Sequence, residues 1–501
     1  MFGTTRRLSS VISTLCICIL LLCFAMGVGA KPRKKSKKQK ETVAQKTARL
    51  NREAAIRRAI LLGISISQAN AVSGDFSLNS GRSSSVRTSS TAATGNSSGA
   101  QFVADTEAPN PDIHPLAGSL IISEFRLRGP SGANDEFVEI YNDSGADHTV
   151  SSISGTGYGL AASDGVTRCT IPNGTVIPAR GHYLCVNTLA FSLGSYPAGA
   201  STIGTGDATY TTDIPDNAGI ALFNNNSAGA FYQLANRFDA VGSTSEANTL
   251  YKEGTGYPAL TPFSIDYSFY RDQCGKGGSI TTLGPCTIST PKDTDNNAAD
   301  FIFVDTNGTS AGAGQRLGAP GPEGLASPIL RNSTVSNSLL DATVPSPNPP
   351  NQVRDFTSDP ANNSTFGTLN LRRRFVNNTG ASITRLRFRI VDLTTFPAPS
   401  GFADLRPRTS TLVVVAGIND AATCLASNGV ATTPCTVNVQ GTTLEQPPSQ
   451  PNGGGFNTSL SAGTITLGTP LANGASINLQ FLLGIQQTGS FKVFVNVEAL
   501  P

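Results

Sequence analysis

The side chains able to do chemistry are few and unevenly placed. Asp293, Asp295, Asn297 and Asp300 set oxygen donors at near-alternating positions. Such spacing suits Ca²⁺, which takes about six to eight oxygens from a bent loop. It is not an EF-hand, because Ala298 stands where that loop needs glycine and Val304 where it needs glutamate. The competing reading is an Asx-rich turn whose side chains bond their own backbone. Calcium is the one cofactor these residues offer. Glu124, Glu136 and Glu139 invite an acid–base reading, but that needs a cleft and split pKa values. They are expected instead to accept hydrogen bonds from turn amides or polar neighbours. The three histidines, His114, His148 and His182, have no metal-ligand spacing and are expected to pack or face solvent. Gly95-Asn96-Ser97-Ser98-Gly99 has the letters of a nucleophile elbow, but Ser and Thr runs flank it where a strand and a helix are required.

Five arginines form the other constellation. Residues 368–376 and 383–390 flank Asn377-Asn378-Thr379-Gly380, a pattern that predicts an antiparallel hairpin. Pairing Val376 with Ile383 sets Leu369 opposite Ile390 and Leu371 opposite Phe388 on one buried face. The same register sets Arg372 opposite Arg387 and Arg374 opposite Arg385 on the outer face, with Arg389 beside them. Like charges opposed across strands repel, so something must answer them. Carboxylates on an adjacent strand would do so, Glu498 or Asp392 among them. An anionic surface polymer or the acidic face of a partner protein would also suit the arginine forks.

The remaining cysteines speak of compartment. Beyond Cys16, Cys18 and Cys23 they form close pairs: Cys169 with Cys185, Cys274 with Cys286, and Cys424 with Cys435. Other connectivities are open, but the clustering favours three short disulfide loops in an oxidising environment. Arg6 and Arg7 precede an apolar run, residues 11–30, that ends in Gly27-Val28-Gly29-Ala30, a secretory signal pattern cut after Ala30. An uncleaved anchor is the rival, since twenty apolar residues can span a bilayer. Residues 31–60 carry twelve Lys and Arg against Glu41 and Glu53, whereas residues 61–501 carry 23 basic and 32 acidic side chains. The formal net charge of +3 therefore hides a basic arm on a mildly acidic body. That balance gives no support to nucleic-acid binding. Membrane contact is expected only through the arm or an uncleaved apolar segment.

These residues must be positioned by strands. With 51 Gly, 30 Pro and 14% charged residues in 501, the composition favours an all-β chain. Residues 119–127, 136–142, 182–186, 218–223, 231–241 and 300–304 alternate apolar and polar side chains between turn signals. Residues 476–483 and 491–497 read as a second hairpin around Gln486-Gln487-Thr488-Gly489. The expected architecture is two β-sandwich domains, residues 113–323 and 353–501, joined by a Pro-rich linker at 324–352. A signal peptide at 1–30 and a flexible basic arm with a Ser/Thr/Gly-rich linker at 31–112 precede them.

Ile122-Ser123-Glu124 followed by Asn134-Asp135-Glu136-Phe137-Val138-Glu139-Ile140-Tyr141-Asn142 resembles the opening strands of the lamin tail domain. Residues 171–184, 216–222, 237–242 and 293–301 resemble its later segments, so the likeness covers about residues 116–320. The chain departs from the family where a Trp commonly follows the second strand; Tyr158 stands nearest that place. The resemblance implies an immunoglobulin-like sandwich with no catalytic set, serving as a binding or targeting module in bacterial-type secreted proteins. The function expected is thus an exported, non-catalytic binding or structural protein at the cell surface or outside the cell. The alternative is a hydrolase, or its accessory subunit, acting on an extracellular polymer with or without a metal.

Overall fold

The strands form where the alternation places them, and they assemble into two β-sandwiches, so the chain is all-β. A computed structural model describes residues 75–78, 119–196, 204–229, 231–259, 265–273, 291–308 and 316–501. The apolar segment, the basic arm and Ser97 lie outside the described residues. So do Cys274 and Cys286, the middle one of the three expected disulfide pairs. The other two pairs, Cys169 with Cys185 and Cys424 with Cys435, are bonded as expected. No helix among the described residues is long and apolar enough to cross a membrane.

The first sandwich packs a seven-stranded sheet on a four-stranded one. At the centre of the larger sheet, Leu120–Arg126 lies between Tyr267–Arg271 and Phe137–Asn142, and His182–Asn187 follows. The smaller sheet runs Arg237–Val241, Ile220–Phe223, Gly157–Ala162, Thr167–Pro172. Leu120, Ile122, Val138, Ile140 and Tyr183 meet Leu160, Ile171, Ile220 and Leu222 in the core. The Cys169–Cys185 bond crosses between the two sheets. Apolar burial of this kind contributes about 1.5–3 kcal/mol per large side chain.

The second sandwich sets a six-stranded sheet against a five-stranded one. Lys492–Leu500 and Arg385–Leu393 are central in the first, Thr368–Asn377 and Ser476–Gln487 in the second. Here both expected hairpins are corrected. Thr368–Asn377 pairs with Ser476–Gln487, while Arg385–Leu393 pairs with Lys492–Leu500. The apolar residues predicted to sit side by side in one sheet instead face one another across the core: Phe375 and Phe388 meet at 4.8 Å between ring centroids, their planes tilted by 53°. Period-two alternation says which face of a strand is apolar, and a sandwich can bury that face by an arch as well as by a hairpin. Asn377 stabilises the arch, donating to Ala381 and Leu471 carbonyls at 2.7 and 2.8 Å.

Two stretches read as linkers contribute strands. Asp75–Leu78 runs parallel to Lys492–Leu500. Within 324–352, Ile329–Leu330 joins the six-stranded sheet and Val335–Leu339 the five-stranded one. The prolines of that stretch do not hold it away from the body; Leu340, Asp341 and Asn351 are buried. A small flap of Val413–Ile418, Cys435–Val439 and the helix Ala421–Asn428 carries the Cys424–Cys435 disulfide. Both sandwiches lie within one compact unit, Gly63–Pro501, and Tyr270, Ile302 and Val304 of the first pack into the core of the second.

Candidate functional site

Arg385–Leu393 alternates Leu386, Phe388 and Ile390 into the core with Arg385, Arg387 and Arg389 on the opposite face. That face is covered. The three arginines are 1%, 0% and 4% exposed, because the first sandwich lies over them. The register pairs Arg387 with Glu498, so Glu498 Oε2 accepts from Arg387 Nε at 2.7 Å and Oε1 from Arg389 Nε at 3.0 Å. Arg385 donates to Glu445 at 2.9 Å. Glu323, where the chain leaves the first sandwich, pairs with Arg387 and lies 2.8 Å from Arg389.

The first sandwich supplies the rest of this seam. A bulge between Ile122 and Glu124 resets the alternation of the central strand. Bulges of this kind re-aim side chains, and here Ser123 and Glu124 both line the seam. Glu124 Oε1 accepts from the Gly321 amide at 2.9 Å, and Glu139 Oε2 from the Glu323 amide at 2.7 Å. His182 Nδ1 lies 3.0 Å from Glu139 and Nε2 lies 3.0 Å from Glu323. His182 thus bridges two carboxylates, one at each ring nitrogen. Burial, then the neighbouring Glu139 charge, raises the Glu124 carboxyl to about 7. Glu139, Glu323, Glu445 and Glu498 thus meet three guanidiniums and the His182 ring, with Glu124 beside them. The cavity left between these groups is about 20 Å³, room for a single water.

The five-arginine face expected from the sequence therefore does not exist. Arg372 and Arg374 lie on the half-buried outer side of the five-stranded sheet, and Arg374 donates to Ser338 Oγ and the Ala422 carbonyl. Arg385, Arg387 and Arg389 belong to the other sheet and are paired internally, with Glu498 as the neighbouring-strand carboxylate. Asp392 instead pairs with Lys492 at 2.8 Å.

The proposed calcium loop is also divided. Asn297 opens a one-turn helix, Asn297–Asp300; its Oδ1 accepts from the Gly242 and Glu253 amides, and its Nδ2 donates to the Ala240 carbonyl. Asp300 accepts from the Thr294 amide and hydroxyl and from Arg271. Asp293 also accepts from Arg271, so one guanidinium nitrogen joins Asp293 and Asp300. Asp295, at φ +54°, sits at the turn beside them. Asn297 and Asp300 are thus spent as Asx-type braces, and the four do not form one ligand set.

Glu139, His182 and Glu323 hold three donor atoms within 4.8 Å of one another. Both imidazole nitrogens face carboxylates and Arg387 and Arg389 already answer Glu323, so a metal cation fits poorly there. Sequence reasoning missed His182, Glu323 and Glu445, because no local spacing relates residues 139, 182, 323 and 445. The alternation of Arg385, Arg387 and Arg389 with apolar neighbours was the one signal. It marks a two-faced strand and leaves open what covers the polar face. Compared with family models, curated proteins and solved structures, the chain has no significant match.

Proposed function

We propose that the chain is an exported, non-catalytic binding or structural protein of the cell surface or extracellular space, with a lamin-tail-like module as its first sandwich. The observation that carries this reading is the seam. Glu124, Glu139, His182, Glu323 and Arg389 are the residues best suited to acid–base or electrophilic work, and they line room for one water, all buried but the half-buried His182. A polymer-acting hydrolase needs an acid and a base flanking an open cleft; these groups instead join two sandwiches. The Cys169–Cys185 and Cys424–Cys435 disulfides fit an oxidising compartment. Residues 122–124 and 137–142, which carry the lamin-tail resemblance, fall on two paired central strands.

Contact with an anionic surface polymer or partner protein is assigned to the basic residues 31–60, not to the second sandwich. The test is retention of the purified chain on an acidic polysaccharide column, with polymer length measured after incubation. Salt-sensitive retention that is lost on deleting residues 31–60, with the polymer intact, is expected. Shortening of the polymer that disappears in His182→Ala would overturn the non-catalytic reading.

A further inference from the structure

A second group of buried acids lies inside the first sandwich, around Arg271. Arg271 receives Asp239 at 2.6 Å, Asp293 at 3.2 Å and Asp300 at 3.4 Å. Glu253 stands beside them, 4% exposed, with Oε1 accepting from Arg237 at 3.0 Å. Its other oxygen, Oε2, is buried and has no hydrogen-bond partner among the described residues. A buried carboxylate oxygen without a partner costs more than the bond it forgoes, so a missing occupant is the economical explanation.

Charge leads to the same place. Among the described residues, Asp239, Glu253, Asp293, Asp295 and Asp300 face Arg237, Arg271 and Lys292 as cationic neighbours. Counted as carboxylates, the five acids outnumber these three cations by two.

We propose that Asp239, Glu253 and Asp293 form a calcium site. Their donor oxygens lie within 4.8 Å of one another, the distance between two oxygens on opposite sides of an ion at about 2.4 Å. The donor set is all oxygen and includes three carboxylates, which selects a hard cation over zinc. Magnesium, with shorter bonds and a strict octahedron, suits so uneven a set less well. The ion removes both surplus charges and gives Glu253 Oε2 its partner. Arg271 holds one oxygen each of Asp239 and Asp293 in place, and the 16%-exposed Asp293 marks the way in. The site keeps one residue of the loop that the sequence nominated and takes its other two ligands from 239 and 253, which are remote in sequence.

The experiment uses the full chain stripped with EDTA, titrated calorimetrically with CaCl₂ and melted in CaCl₂, MgCl₂ and EDTA. One calcium per chain is expected, with a higher Tm in CaCl₂ that MgCl₂ does not reproduce. Glu253→Gln keeps the shape and removes the charge, so it should fold as the wild type by circular dichroism and bind calcium at least about tenfold more weakly. No heat of binding together with equal Tm in CaCl₂ and EDTA would overturn the site. So would wild-type calcium affinity in folded Glu253→Gln.

Discussion

In the seam, Glu323 and Glu498 each meet two guanidiniums, whereas around Arg271 three carboxylates crowd a single one. Both clusters are made of the same residue types and both are buried. In the seam Glu445 and Glu498 are answered by arginines of their own sandwich, and Glu323, at the edge of the first sandwich, ties the two layers together. The Arg271 cluster draws its anions from loops and strands of one sandwich and ends in surplus. A buried joint and a binding site can therefore share a composition and differ in how many guanidiniums answer each carboxylate. Breaking a closed pair leaves an uncompensated charge, which costs far more than the pair contributes to stability.

The largest effect should come from breaking the closed set. Arg387→Met removes the guanidinium shared by Glu323, Glu445 and Glu498 and should destabilise by about 3–5 kcal/mol in urea titration. A loss under about 1 kcal/mol would mean that the seam does not hold the sandwiches together.

A proton, rather than a side chain, tests the same balance at Glu124. Its folded pKa of about 7 lies above the ordinary 4.5, so the folded state holds a proton that the unfolded state has released. This contribution to stability is fully present below about 4.5 and is lost as pH rises through about 7. Glu124→Gln should therefore be more stable than wild type by about 1–3 kcal/mol at pH 8 and nearly equal to it at pH 4.5. Parallel stability–pH curves for the two proteins would place the titrating group elsewhere.

The open cluster should respond far less. In EDTA, Glu253→Gln removes repulsion with Asp239 and Asp293 but also the charge facing Arg237, so it should stay within about 1 kcal/mol of wild type, where loss of Arg387 lowers stability by several. If it destabilises as strongly as Arg387→Met, the surplus of anions around Arg271 is not a burden on the fold. The smallest effect is expected at Arg374→Ser, on the half-buried outer side of the five-stranded sheet, within about 0.5 kcal/mol of wild type. A loss comparable with that of Arg387 would contradict the division of the five arginines into two unlike sets.

Much of the fold was legible because strand formation is local. Leu369, Leu371 and Phe375, and likewise Leu386, Phe388 and Ile390, show period-two alternation, and all are buried in the core. Close cysteine spacing was legible too: 169–185 and 424–435 are bonded, while Cys274 and Cys286 fall outside the described residues. The site was far less so. Glu498 could be named as a neighbour of the arginines, but Glu323 could not, because it reaches Arg387 and Arg389 only when one sandwich docks on the other, and neither could His182, which meets that cluster through Glu323. Arginines on a strand usually mean a wet face, and that expectation failed here for a reason no local pattern carries. The polar face of Arg385–Leu393 is the surface on which a second layer of the same chain lies.

Side-chain alternation, turn residues and cysteine spacing were thus enough to settle that this chain is β-rich, cross-linked at short range and split between a basic arm and a mildly acidic body. Those properties depend on neighbours within about ten to sixteen residues. Which strand pairs with which, whether an apolar face meets its partner within a sheet or across a core, and whether a carboxylate is matched or left in surplus were decided by packing. Each depends on residues more than a hundred positions apart, such as Arg387 and Glu498, or Glu124 and Gly321. Burial then multiplies the electrostatic consequence of those meetings, because charges withdrawn from water must find partners or protons where they lie.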